Sequence, residues 1–323
     1  MKKKILACLA LVLCVLLVAG ACGGDGGGAQ TRLTMATGGT GGTYYPFGGV
    51  MAGVINNTTD LQVAPNASGA SVDNLRQIAA GDAHVALAQN DASYYAFTAT
   101  EIWSEFDAVT SLRSLMALHP EPVQIVVLAD SGIYSVADLA GRRVSVGDIG
   151  SGVEANSKQI LGVYGISFDD INVFNLGVGP SADAMRDGSI DAFFFTAIAP
   201  TAAIMELSAR HDIRLLSISD AGIDTLTSQY AFYAEATLDS ENYAFLTEPV
   251  QTVTVHAQLV VSEDLDEELA YTIVRAIMDG RDAIIEGHRA GTYIDPNHAV
   301  TYISVPLHPG AARFFESVGV TLP

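Results

Sequence analysis

Cysteine is scarce in this sequence. The 323 residues hold three, Cys8, Cys14 and Cys22, and none follows residue 22. Whatever folds beyond that point has no thiol nucleophile, no disulfide and no cysteine-based metal or redox centre. Basic residues are also few: 16 Lys and Arg stand against 36 Asp and Glu, a formal net charge of -20. Past residue 4 the only lysine is Lys158. Such a chain has no basic face to offer nucleic acid phosphates. The seven histidines, His84, His119, His211, His256, His288, His298 and His308, show no H-E-x-x-H spacing. The G-x-S-x-G elbow and the P-loop are missing too, which removes the usual sequence grounds for a serine hydrolase or a nucleotide enzyme. Isolated carboxylates such as Asp73 and Glu154 say little in a chain with 36 acids. The sequence therefore implies no cofactor and no metal, and favours a non-enzymatic role.

The first thirty residues are of a different kind. Lys2, Lys3 and Lys4 precede an apolar run from Ile5 to Val18. This is the pattern of a secretory signal peptide, and the run is shorter than the ~20 residues a spanning helix needs. It ends in Ala19-Gly20-Ala21-Cys22, which resembles the lipobox of bacterial lipoproteins, with Cys22 as the acylated residue. Ordinary cleavage with Cys22 incidental is the alternative. Gly23 to Ala29 is nearly all glycine, a flexible tether. The expected order is signal peptide over 1–21 and lipidated cysteine plus tether over 22–30, placing the domain outside the cytoplasmic membrane. Removing residues 1–21 takes away three lysines and no acid, which leaves -23. The field of such a charge opposes an anionic ligand, although salt screens it beyond about 10 Å.

From residue 31 onward, strand and helix patterns alternate. Strands are expected at Leu33–Ala36, Leu61–Pro65, His84–Gln89, Val123–Leu128, Arg143–Gly147, Ile171–Leu176, Ile190–Phe195 and Gln251–Val261. Helices are expected at Pro46–Asn56, Ser71–Ala80, Val153–Tyr164 and Ala182–Asp187, with a turn at Pro120 and Pro122. A short helix capped by Ser135 and a longer one capped by Ser262 complete the pattern. Alternation of this kind argues α/β with mainly parallel sheets. Ala80-Gly81-Asp82-Ala83-His84-Val85 and Asp187-Gly188-Ser189-Ile190-Asp191-Ala192 share a helix-end, glycine, strand pattern. Each half thus carries a similar unit. Two lobes follow, the first from 31–122 plus 256–323 and the second from 123–255, joined by two crossings into a hinged clamp.

Three loops share one chemistry. Gly38 to Thr43, Ser68 to Ser71 and Gly150 to Gly152 each precede a helix with glycines and hydroxyls. Free backbone N–H groups at a helix N-terminus make a site for a carboxylate or phosphate oxygen. One such loop is usually a capped turn; three in one chain point to a site for a small anionic solute. The candidates are Thr40, Gly41, Gly42, Thr43, Tyr44, Ser68, Ser71, Gly150, Ser151 and Gly152. Gln89 and Asn90 end one strand, and Phe195 and Thr196 the matching one. Of Tyr44 and Tyr45, one covers a ligand and the other packs inward, or both lie in the core.

The same residues carry a family resemblance. Thr37-Gly38-Gly39-Thr40-Gly41-Gly42-Thr43-Tyr44-Tyr45-Pro46 resembles the opening motif of the TAXI solute-binding proteins of TRAP transporters. Ser68-Gly69-Ala70-Ser71-Val72-Asp73-Asn74-Leu75 resembles the second motif, and Gly150-Ser151-Gly152-Val153-Glu154 a third. The likeness runs from about Leu33 to the C-terminus. It implies a two-lobed type II periplasmic-binding (Venus flytrap) fold with two hinge crossings. It also implies a glutamate-like or related carboxylate ligand, delivery to a TRAP membrane permease, and Asn74 and Val153 among the site residues. Ala70 stands where the family usually has Gly, Asn90 where it has Ser, and Val153 where it has Thr. A ligand sensor using the same cleft, and an exported enzyme on the same fold, are the competing roles.

Overall fold

Strands and helices do alternate, and the strands that leave the pattern are the ones that join the molecule together. The computed structural model describes residues 30–323; the signal-peptide, Cys22 and tether expectations lie outside the described residues. The first part runs β1 (Thr31–Ala36), α1 (Tyr44–Thr58), β2 (Leu61–Asn66), α2 (Ser71–Ala80), β3 (Val85–Gln89), α3 (Asn90–Thr98) and β4 (Leu112–Leu128). Next come β5 (Arg143–Ser145), α4 (Gly152–Val163), β6 (Asn172–Phe174), α5 (Val178–Arg186), β7 (Ala192–Thr196), α6 (Ala202–Ser208), β8 (Ile213–Leu215), α7 (Asp220–Gln229) and β9 (Ala234–Leu238). The chain closes with β10 (Val250–Ser262), α8 (Glu267–Asp279), α9 (Arg281–Gly287), α10 (Pro296–Thr301) and α11 (Pro309–Ser317).

The strand path is β2-β1-β3-β10-β4-β7-β5-β6, with β8 also on β4 and β9 on β10. The β1–β3, β5–β6 and β5–β7 pairs are parallel; β10 runs antiparallel to β3 and β4, and β4 to β7. The fold is therefore α/β with a mixed sheet flanked by helices, in two lobes. Residues 112–122 of β4 pair with β10, and residues 123–128 pair with β7 and β8. One strand thus belongs to both lobes, and β10 beside it does likewise through β3 at one end and β9 at the other.

Each lobe buries both faces of its sheet, as parallel strands between helices must. Phe47, Met51 and Ile55 of α1 pack with Ile273 and Ile277 of α8 and Phe315 of α11 against β1 and β3. Val72, Leu75 and Ile78 of α2 cover another face of the first lobe, with Trp103 and Leu112. In the second lobe β7 shows the period-two alternation directly. Phe194 points into one core with Val144, Ile160 and Leu161, while Phe193 and Phe195 point into the other with Met185 and Ile204.

Three expectations need correction. The segment at Pro120 and Pro122 is not a turn: β4 runs straight through it, with Pro120 opposite His256 and Pro122 opposite Thr254. Proline suits an extended backbone and costs only its N–H. The Pro122 carbonyl still accepts from Ala197 N, and the register slips beside Pro120, between His256 and Gln258. Ser262 does not cap a helix but ends β10 opposite Leu112. The cap of α8 is Asp266, whose carboxylate accepts from the amides of Glu268 and Leu269. Finally, Gln89-Asn90-Asp91 ends its strand as expected but leads straight into α3, which the sequence reading had not placed.

Candidate functional site

The loops picked out in the sequence sit at the carboxyl ends of the parallel strands, where open α/β sheets place ligands. β1 leads through Gly38–Thr43 into α1, β2 through Ser68–Ala70 into α2, β5 through Gly147–Ser151 into α4, and β6 through Gly177 into α5. Together they enclose a cavity of about 420 Å³. The amides of Tyr44, Ser71, Gly152 and Val153, at three helix N-termini, have no partner among the described residues. They supply the partial positive charge an oxyanion needs.

Two glycines make this geometry possible. Gly147 has φ 97°, and a Cβ there would lie 2.7 Å from Val153 Cβ and 2.8 Å from Ser151 Oγ. Only glycine lets the loop fold back over the start of α4. A Cβ on Gly152 would lie 1.8 Å from Gln89 Oε1. The glutamine of the first lobe thus rests directly on the helix N-terminus of the second. The Val72 amide also donates to the Gly150 carbonyl at 3.1 Å, so the two lobes touch here through α2 as well.

Most of the expected residues line this cavity: Thr40, Gly41, Gly42, Thr43, Tyr44, Ser71, Gln89, Ser151, Gly152, Val153, Phe195 and Thr196. Gln89 Oε1 and Thr196 Oγ1 are buried without a hydrogen-bond partner among the described residues. Tyr44 faces inward and is buried, while Tyr45 lies at the surface. The Ser71 hydroxyl accepts from the Gln89 amide at 3.1 Å, and that of Ser151 caps α4 by accepting from Glu154 N at 3.2 Å.

Ser68, Asn74, Asn90 and Gly150 lie outside the cavity and hold the loops instead. Ser68 Oγ donates to Asn74 Oδ1 at 2.6 Å. Asn74 is fully buried and donates to the carbonyls of Thr37 and Leu87, both at 2.6 Å, tying the end of β1 to the middle of β3. Asn90 Oδ1 accepts from the His256 amide at 3.1 Å, next to the shared strands. Gly150 N donates to Glu154 Oε2 at 2.8 Å. In the second loop the Gly69 and Ala70 amides are likewise taken, by Asp73 Oδ2 and Ser68 Oγ. Ala70, where the resembled family has glycine, holds φ 69°, a conformation that favours glycine.

The sequence reading missed the acids. Glu121 comes from the middle of β4, lines the cavity and is 1% exposed. Tyr44 donates its hydroxyl to Glu121 Oε2 at 2.8 Å. Burial raises the Glu121 carboxyl well above its ordinary range, against the pull of the Tyr44 hydrogen bond; burial and then Glu121 raise the Tyr44 hydroxyl in turn. Asp148 and Asp183 also line the space, and desolvation raises Asp148. Leu176, Val178 and Pro180 form an apolar wall from the loop before α5 and its first turn. Among the described residues the lining contains no lysine and no arginine. Among the described residues no group of His, Cys, Asp or Glu is placed to hold a metal ion, and no helix is long and apolar enough to cross a membrane.

Comparison with known proteins places this geometry in context. A family profile described as the NMT1-like family matches residues 35–319. Among solved structures, the chain is similar to PhnD1 from Prochlorococcus marinus in complex with methylphosphonate. That match has 10% identity and a TM-score of 0.54, over 82% of this chain and 89% of that one. It is also similar to the alkanesulfonate-binding protein SsuA from Xanthomonas axonopodis pv. citri bound to MOPS, at 15% identity and TM-score 0.51, over 88% and 83% of the two chains. The periplasmic aliphatic sulphonate binding protein SsuA from Escherichia coli matches at 15% identity and TM-score 0.50, over 89% and 84%. At these identities the likeness establishes the fold, a two-lobed periplasmic-binding-protein architecture.

Proposed function

The chain belongs to the NMT1-like family, and from that premise we propose that it is an extracytoplasmic receptor that captures a small carboxylate or amino-acid-like solute for a TAXI-type TRAP transporter. The observation that carries this reading is the cavity itself. Free amides at helix N-termini from both lobes meet there with two buried, unpartnered polar atoms, Gln89 Oε1 and Thr196 Oγ1. Buried polar atoms are normally satisfied, and both of these belong to residues that line the cavity. The similar proteins named above bind phosphonates and sulfonates, which supports capture of a small oxygen-bearing solute on this fold. The TAXI assignment rests on the loop motifs. In this reading the lobes divide at 122/123 and 255/256, Cys22 anchors the receptor to the membrane by a lipid, the cleft closes about a hinge, and no covalent step occurs.

A thermal-shift screen of amino acids and carboxylates tests the reading. A solute that binds the native state alone raises the melting point, by the equivalent of about 2.7 kcal/mol at a hundredfold excess over Kd. No shift from any of them removes the solute class. For a solute that does bind, Gly152→Ala is expected to weaken affinity about tenfold, which is about 1.4 kcal/mol, because its Cβ drives the Gln89 side chain into the cleft. Titration calorimetry on both proteins reads this directly, and an unchanged Kd would show that Gln89 and Gly152 do not frame the ligand.

A further inference from the structure

The cavity lining carries two unlike kinds of polar group. One is the set of helix N-termini, all donors. The other is oxygens, chief among them the Glu121 carboxyl. Glu121 Oε2 accepts from Tyr44, and its other oxygen takes no hydrogen bond among the described residues. Among the described residues no cationic side chain lines the space, while Asp148 and Asp183 add two further carboxyls. A plain carboxylate can satisfy the donors. It leaves the oxygens unanswered, and a second negative charge would be set among acids. A ligand group rich in N–H donors answers both.

We propose that Glu121, braced by the Tyr44 hydroxyl, is the counter-ion for a ligand ammonium group, so that the receptor selects an amine-bearing solute without net negative charge over plain carboxylates. This rests on the solute-receptor reading above and narrows it, since it disfavours glutamate itself. The other titratable groups around Glu121 are Tyr44 from α1, Asp91 from α3, and His119 and His256 on the adjoining strand positions. Burial holds both histidines neutral at pH 7, so no cation competes for the carboxyl. Burial also raises the Glu121 carboxyl well above its ordinary range. An ammonium seated against it favours the ionised carboxylate, and any proton the carboxyl carries leaves to solvent. The ligand keeps its own protons and the apolar wall of Leu176, Val178 and Pro180 takes its side chain.

The experiment pairs three amino acids with their des-amino acids: L-leucine with 4-methylpentanoate, L-glutamine with 4-carbamoylbutanoate, and L-glutamate with glutarate. Calorimetry is run at pH 7 in phosphate and in Tris, so that proton release shows as a buffer-dependent heat. Wild type is expected to prefer the amine of a binding pair about tenfold or more, the scale of one charge-assisted hydrogen bond. It should favour L-leucine or L-glutamine over L-glutamate and release protons on binding. Glu121→Gln is expected to bind the two members of a pair equally and release none. Should that variant fail to fold, Tyr44→Phe keeps the carboxyl, and it is expected to narrow the preference while proton release persists. Equal binding of amine and des-amino acid by wild type, or an unchanged preference in Glu121→Gln, overturns the assignment and leaves the receptor reading intact. Binding by none of the six overturns both.

Discussion

Asn156→Ala is expected to cost the folded chain about 3 kcal/mol at pH 7.5, the upper end of what a hydrogen bond to a charged group is worth. Asn156 lies on α4, fully buried, and its amide donates to Asp91 Oδ2 and to the Tyr233 hydroxyl, both at 2.9 Å. Tyr233 donates on to Gln159 Oε1 at 2.8 Å, and Gln159 Nε2 donates to the Tyr95 hydroxyl at 3.0 Å. Asp91 and Tyr95 belong to α3 in the first lobe; Asn156 and Gln159 belong to α4 in the second. The network is therefore a polar seam between lobes, a turn or so beyond Gln89 and Gly152 in the cavity. Burial raises the Asp91 carboxyl to about 6, against the hydrogen bonds from the Ala92 amide and Asn156 that lower it. At pH 7.5 it is ionised, and alanine at 156 strips one oxygen of its side-chain donor. The loss should shrink at pH 5, where Asp91 is mostly protonated and a neutral acid is less costly to leave unpaired. Urea unfolding at both pH values reads the two numbers. A cost below about 1 kcal/mol, the net worth of an ordinary hydrogen bond, or one unchanged between pH 7.5 and 5, would mean that the seam does not hold a charge.

How much of this was legible in the sequence depends on whether the signal was local. α2 was readable to the residue, because Val72, Leu75 and Ile78 repeat at helical spacing and Gly81 stops the helix. α3 was not, because its buried positions are small or amphipathic: Ala92, Ser93, Tyr95 and Ala96 carry little periodic contrast. The cavity loops were readable for the same reason as α2, since glycine and hydroxyl residues before an apolar helix are a short-range pattern. Glu121 was not. It reaches the site through strand pairing and meets Tyr44 across 77 residues of chain, and its two flanking prolines read as a turn. Asp148 and Asp183 could not be told from the other acids of so acidic a chain. Asn74 was singled out by family likeness, yet its buried amide spans two strands, a role that only the assembled sheet defines.

His119→Leu is expected to gain about 2 kcal/mol on wild type between pH 7.5 and pH 5. His119 is fully buried in β4, its ring edge-on to Phe47 at 5.4 Å and 6.4 Å from the Tyr44 ring. Nδ1 lies 3.4 Å from the Pro120 carbonyl, and Nε2 has no partner among the described residues. Burial lowers its pKa from 6.5 to about 3, slightly opposed by the Pro120 carbonyl. The unfolded chain therefore takes up a proton below pH 6.5 that the folded chain refuses until about pH 3. Stability is lost as pH falls through that window, at about 1.4 kcal/mol per unit. His256, lowered to about 4 by burial, adds a term of the same sign. Asp91 and Glu121 act oppositely: their folded values are raised, so their cost is present at neutral pH and is relieved as pH falls toward 4. The wild-type profile is thus a sum of opposed terms. Leucine at 119 removes one term and leaves the others in place. Its offset at pH 7.5 reflects packing and the loss of two buried ring nitrogens, and the change in that offset at pH 5 isolates the protonation of the histidine. Urea denaturation of both proteins across pH 5 to 7.5 measures it, and a pH-independent offset would show that His119 takes up its proton in the folded state as readily as in the unfolded chain.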